Sequence, residues 1–122
     1  MDIITQINRA VEFVKNKKYK QAEKIYSSLL KVDSTNPIIL TLVGYFYLET
    51  KKPRKAELLF EKAYQLTHSL ASLSGLAYSK YILRKYEECI ILYKDLIKCE
   101  DKYEYYEKLT TTFSNLIALG KK

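Results

Sequence analysis

The 122-residue length favours a single domain, and 48% hydrophobic with 29% charged residues excludes a disordered chain. Three Gly and two Pro are too few turn formers for an all-β fold. The net charge of +7 comes from 21 Lys and Arg against 14 Asp and Glu, while one His and two Cys, Cys89 and Cys99, are too few and wrongly spaced for a zinc site. No apolar run approaches the about 18 residues that span a bilayer. The start, "MDIITQINRA", has no basic region followed by an apolar stretch, so no secretory signal is expected and the chain is read as cytoplasmic.

Apolar periodicity predicts seven helices. The first covers about Ile3 to Asn16, with Ile4, Ile7, Val11 and Val14 on one face. The second covers about Tyr19 to Val32, with Ala22, Ile25, Tyr26, Leu29 and Leu30 facing inward. "DSTNP" breaks the chain, with Asn36 as an N-cap and Pro37 at the first helical position. The third helix is about Pro37 to Thr50, and the fourth about Pro53 to Thr67, where Pro53 fits the first turn. His68 at its end is expected to face the negative end of the helix dipole. The fifth is about Leu70 to Leu83 and the sixth about Tyr86 to Lys98. The seventh, about Lys102 to Leu119, carries Tyr106, Leu109, Phe113, Leu116 and Ile117 at helical spacing, with Gly120 as its C-terminal cap. Connections of a few residues make successive helices antiparallel. The expected fold is all-α: three antiparallel pairs plus one terminal helix.

The pairs repeat. "KKYKQAEKIY" begins at Lys17, "KKPRKAELLF" thirty-four residues on at Lys51, and "RKYEECIILY" thirty-three further on at Arg84. Each starts with a basic turn and sets a small residue four before an aromatic: Ala22 and Tyr26, Ala56 and Phe60, Cys89 and Tyr93. Small residues let two helix backbones approach, and the aromatics fill the space beside them. A unit of this size cannot bury its face alone, so the pairs must stack. Cys89, in a small-residue slot, is expected to be buried, and Cys99 to be a free thiol near a helix end.

These residues resemble the tetratricopeptide repeat (TPR), whose first helix spaces large residues, a Gly and a Tyr, and whose second places Ala four before Phe. The middle copy matches best, through Leu40, Val43, Gly44, Tyr47, Ala56, Phe60 and Ala63. The first departs at Gln6 and Arg9 but keeps Ala10, Phe13, Ala22 and Tyr26. The third offers Leu73, Leu76, Ala77, Cys89 and Tyr93, with Lys80 in the place of the motif's Tyr. The resemblance implies one TPR-like domain over residues 1–122: repeats at about 3–36, 37–69 and 70–101, and a capping helix at about 102–119. The short α-solenoid so formed would have its open end covered by the last helix.

Nothing in the sequence points to catalysis: there is no Gly-rich phosphate loop and no paired carboxylates in a recognisable context, and no cofactor or metal is expected. The resemblance implies instead a protein-binding module. In this family the first helices of the pairs line a concave groove that usually holds a partner peptide. The matching positions are Ile4, Ile7, Asn8, Val11 and Lys15 in the first repeat; Ile38, Thr41, Leu42, Tyr45 and Glu49 in the second; and Ala71, Ser74, Gly75, Tyr78 and Ile82 in the third. One version of the family grips the C-terminal carboxylate of heat-shock chaperones with Lys, Asn and Arg side chains. Here the matching Ile7, Val11, Leu42, Ala71 and Gly75 all depart from that pattern, so that activity is not expected. An apolar groove suits an amphipathic or apolar helix of a protein partner, or filling by the seventh helix or a second copy in a homo-oligomer. Small chains of three such repeats are also similar to the chaperones of type III secretion, although those are commonly acidic.

The positive charge clusters at the turns within pairs: Lys17, Lys18 and Lys20; Lys51, Lys52, Arg54 and Lys55; Arg84 and Lys85. Stacking would align them into a basic ridge, either a solvated edge or a surface for nucleic acid or another acidic partner. No aromatic–basic nucleic-acid module accompanies it, which disfavours nucleic acid. In "EDKYEYYEK", one of Tyr103, Tyr105 and Tyr106 is expected to be buried at a helix start.

Overall fold

The computed structural model describes residues 2–120. Seven helices follow one another with no strand among the described residues: α1 (Ile3–Lys15), α2 (Tyr19–Val32), α3 (Pro37–Glu49), α4 (Pro53–Thr67), α5 (Leu70–Ile82), α6 (Tyr86–Cys99) and α7 (Tyr103–Gly120). Each packs on the next, and α3 also meets α5, which is the neighbour relation of a short α-solenoid.

Local chemistry sets where the helices start and stop. The first helix of each pair has a side-chain cap: Asp2 Oδ1 accepts from the Thr5 N–H at 2.7 Å, Asn36 Oδ1 from Ile38 at 3.0 Å, and Ser69 Oγ from Ser72 at 3.2 Å. The second helices have none and start directly from the preceding turn. All three turns are the same Schellman motif. The N–H groups of Lys17 and Lys18 donate to the Val14 and Phe13 carbonyls, those of Lys51 and Lys52 to Leu48 and Tyr47, and those of Arg84 and Lys85 to Tyr81 and Lys80. Lys17, Lys51 and Arg84 take the left-handed conformation, with φ of 58°, 63° and 62°. Glycine holds that place without the Cβ penalty, whereas here each residue is a cation.

His68 ends α4 in the left-handed conformation at φ 54°, its ring 4.8 Å from Tyr64. Gly120 does not act as a left-handed cap: it is the last residue of α7, and no described glycine has positive φ.

The small residues that the repeat predicted, Ala22, Ala56 and Cys89, are completely buried. One core joins Ala10, Ala22, Tyr26, Leu29, Ile39, Val43, Phe46, Tyr47, Ala56, Phe60 and Leu76; a second joins Leu73, Ala77, Cys89, Tyr93, Leu96 and Tyr105. Leu92 packs against both. Phe60 is packed at the junction of the second and third pairs. Its ring lies between Gly44 of α3 and Gly75 of α5, where a Cβ would stand 2.8 Å and 2.3 Å from it.

Lys80, in the slot of the motif's tyrosine, is buried and bonded to three carboxylates: Glu88 at 2.6 Å, Glu57 at 2.8 Å and Glu61 at 3.1 Å. Lys85 reaches the same Glu57 at 2.8 Å. This cluster ties α4, α5 and α6 together.

Burial sorts the apolar residues of α1 and α7. On α1, Ala10 is buried and Ile7 and Val14 are partly so, but Ile4 and Val11 are exposed. On α7 the buried residues are Tyr105 and Thr112, with Leu109 packed beside them, while Tyr106, Phe113 and Ile117 face outward. Thr112 Oγ1 meets the Cys89 sulfur at 3.6 Å, and both residues are completely buried. Of the tyrosine cluster, Tyr105 is the buried ring, and Tyr103 and Tyr106 are exposed.

Candidate functional site: the face of the first helices

The first-helix residues singled out from the sequence fall into three groups. Ile4, Asn8, Val11 and Ile38 are exposed, as are Tyr45, Tyr78 and Ile82. Ile7, Thr41, Leu42 and Ser74 are partly buried. Gly75 is not a groove position at all, because it is buried beneath Phe60. Tyr45 is exposed but not free. Its hydroxyl donates to the Ala71 carbonyl at 2.7 Å, and its ring meets Phe60 edge-on at 4.8 Å. Burial pushes the Tyr45 phenol above its ordinary value, and a hydrogen bond with Ser74 opposes the shift.

Tyr45, Ser74 and Tyr78 share an open cavity of about 430 Å³, whose lining also includes Leu48, Glu49, Tyr93, Glu104, Tyr105 and Lys108. Its walls are α3, α5 and the start of α7, with Tyr93 of α6 beneath. Tyr93 and Tyr105 pack with centroids 6.1 Å apart. The Lys108 ammonium lies 4.9 Å from the Tyr81 centroid and 5.6 Å from that of Tyr78. The seventh helix therefore walls one side of this cavity without filling it. Tyr93, Glu104, Tyr105 and Lys108 were missed from the sequence because the groove was sought on first helices alone. The "EDKYEYYEK" run was the available signal.

The basic turns recur at the same structural place in each pair, but their charges are not equally available. Lys85 is bound to Glu57, and Lys52 pairs with Glu23 at 3.5 Å. Lys52 and Lys55 lie over the Tyr47 ring at 5.9 Å and 5.3 Å. Lys17, Lys18, Lys20, Lys51, Arg54 and Arg84 are exposed and make no ion pair among the described residues. Lys20, Lys51 and Lys52 border a shared cleft of about 520 Å³ with Tyr19, Phe46 and Glu49. The helix dipoles give no net reason for this charge: the turn closes the C-terminus of one helix, where cations are favoured, and opens the N-terminus of the next, where they are not.

Three stacked helix pairs followed by a seventh helix define a helical-repeat protein of the tetratricopeptide type. A family model described as anaphase-promoting complex, cyclosome, subunit 3 matches residues 15–96, and the chain belongs to that family. Among solved structures it is similar to the first TPR of Spaghetti (RPAP3) bound to the HSP90 peptide SRMEEVD: 22% identity, 93% of this chain and 92% of that one covered, TM-score 0.83. The second TPR domain of human RPAP3, in complex with the HSP70 peptide SGPTIEEVD, is 20% identical over 89% of this chain and 92% of that one, with TM-score 0.77. The Sgt2 TPR domain from Aspergillus fumigatus is 19% identical over 97% and 81%, with TM-score 0.81. At these identities the likeness is one of fold. No curated protein matches the chain. No helix among the described residues is long and apolar enough to cross a membrane.

Proposed function

We propose that residues 1–122 form one non-enzymatic, cytoplasmic adaptor or chaperone domain that holds an apolar or amphipathic helical segment of a protein partner along its first-helix face. The observation that carries this is the run of exposed apolar side chains on α1, α3 and α5: Ile4, Val11, Ile38, Tyr45, Tyr78 and Ile82. Their recurrence at matching first-helix positions of the three pairs supports a binding surface on that side. The RPAP3 neighbours hold acidic chaperone peptides, which lends support to a peptide-binding role. Their peptide chemistry does not carry over, because Ile7, Val11, Leu42 and Ala71 offer no cation and Gly75 is covered. A type III secretion chaperone gains no support from the comparisons. A second copy on the same face is the alternative occupant. The basic ridge, with nucleic acid or another acidic partner, is the second reading, favoured by three cations kept at left-handed positions.

Photo-crosslinking from the native cell separates these readings. A crosslinking amino acid at Ile38 or Ile82 should capture one protein partner, and the same group at Leu58, exposed on α4, should not. Capture from Lys17 or Lys51 alone, or of nucleic acid, would overturn the groove in favour of the ridge.

A further inference from the structure

On a chain of net charge +7, the cavity between α3, α5 and α7 is lined by two carboxylates, Glu49 and Glu104, against one ammonium, Lys108. Neither carboxylate makes an ion pair among the described residues. Lys108 makes no ion pair either; its ammonium lies over the faces of Tyr81 and of Tyr78, the second of which lines the cavity. That placement also shows that tyrosine faces at this end of the groove accept a cation. The rest of the lining is four tyrosines, Tyr45, Tyr78, Tyr93 and Tyr105, with Ser74 and the aliphatic Leu48.

The partner side chain that enters must match this lining. An aliphatic group would cover Glu49 and Glu104 without satisfying them, and desolvating an unpaired carboxylate is costly. An acidic group would meet two like charges. A guanidinium is planar and weakly hydrated; it stacks on tyrosine and donates to carboxylates from its edge. We propose that this cavity takes an arginine side chain of the bound segment, with its guanidinium held by Glu49 and Glu104 against the tyrosine lining. The polarity is opposite to that of a groove for an acidic chain terminus. The inference rests on the groove reading above and specifies its partner: an apolar helical segment that carries arginine where it passes α7.

The test is a ¹H–¹⁵N correlation titration of the full chain at constant ionic strength, with three probes: the Nα-acetyl methylamides of arginine, norleucine and glutamate. The arginine probe should shift the amides of Tyr45, Ser74 and Glu104 saturably. The norleucine probe should bind at least about fivefold more weakly there. The Glu49→Gln/Glu104→Gln variant, altered at two exposed positions, should melt as the parent does and weaken the arginine probe by about fivefold or more. Equal binding of norleucine would remove the arginine assignment while leaving an apolar groove standing. Glutamate shifting the same amides would show that Lys108 governs the cavity, and would overturn the proposal. So would arginine shifts that the double variant leaves unchanged, or no shifts at these amides.

Discussion

Replacing Gly75 by alanine puts a methyl group where the Phe60 ring stands. The added Cβ would lie 2.3 Å from Cε1, 2.4 Å from Cζ and 2.7 Å from Cδ1. Carbon atoms pack at about 3.5–4.0 Å, so the ring or α5 must move by about 1.2 Å or more. The ring cannot swing into solvent, because Phe60 is fully buried and Gly44 backs its other side, where a Cβ would be at 2.8 Å. Overpacking of this sort costs about 1–3 kcal/mol, and more where both sides are closed. Alanine returns about 1 kcal/mol through its helix propensity. The expected net loss for Gly75→Ala is about 2 kcal/mol, or roughly 6–10 °C in melting temperature for a chain of this size. Gly44→Ala, with the looser approach, should lose less. Phe60→Leu alone should cost about 1–2 kcal/mol through the space it leaves. Combined with Gly75→Ala it should cost less than the sum, with a coupling of about 1–2 kcal/mol. Urea unfolding of the four proteins measures this cycle. A Gly75→Ala protein as stable as the parent, or strictly additive losses, would refute the sandwich.

Two further predictions concern the turns and the ion cluster. Lys17→Gly, Lys51→Gly and Arg84→Gly should each raise stability by about 0.5–1 kcal/mol in thermal melts, since relief of a left-handed penalty of about 1–2 kcal/mol exceeds the entropy that glycine adds to the unfolded chain; a loss at all three would show that the side chains hold the turns. Burial pushes the Glu57 carboxyl up, but hydrogen bonds and charges from Lys80 and Lys85 overcome this and hold it below its ordinary 4.5. Its contribution is therefore complete above about pH 5 and lost as pH falls through the folded-state value, while Lys80, raised above its ordinary 10.5, stays charged throughout that window. Glu57→Gln should cost about 1–3 kcal/mol at pH 7, and urea midpoints should converge on the parent's toward pH 3, whereas a constant gap would refute the linkage.

The helix bounds were legible because they depend on neighbours in sequence. Asn36 and Pro37 act where they stand, Pro53 opens a helix by its own ring, and each turn repeats one local motif. The packing of α7 was not legible in the same way. Two stripes share Leu109, and the buried one carries Thr112, which meets Cys89, twenty-three residues earlier in the chain, while Phe113 is exposed. Lys80 looked like a defect in the motif, because its partners lie on the helices before and after its own. The first-helix face followed from the repeat, whereas the cavity needed Tyr93 and Tyr105 from outside that face. Periodicity names the side of a helix; only assembled neighbours show what stands opposite.

The Lys80 cluster also bears on how the stack comes apart. A linear repeat array unfolds unit by unit, in an order set by the strength of each junction. Between the second and third pairs stand the Phe60 ring, clasped by two glycines, and an ammonium shared by three carboxylates. Between the first and second stand the Tyr26–Phe46 ring pair and one half-exposed Lys52–Glu23 bridge. The desolvation cost of ion clusters falls on heating, so this difference widens with temperature. Amide exchange should then begin in α1 and α2 while α4 and α5 remain closed. The first-helix face would open from its first-repeat end, and the cavity beside α7 would be the last part of that face to lose its shape.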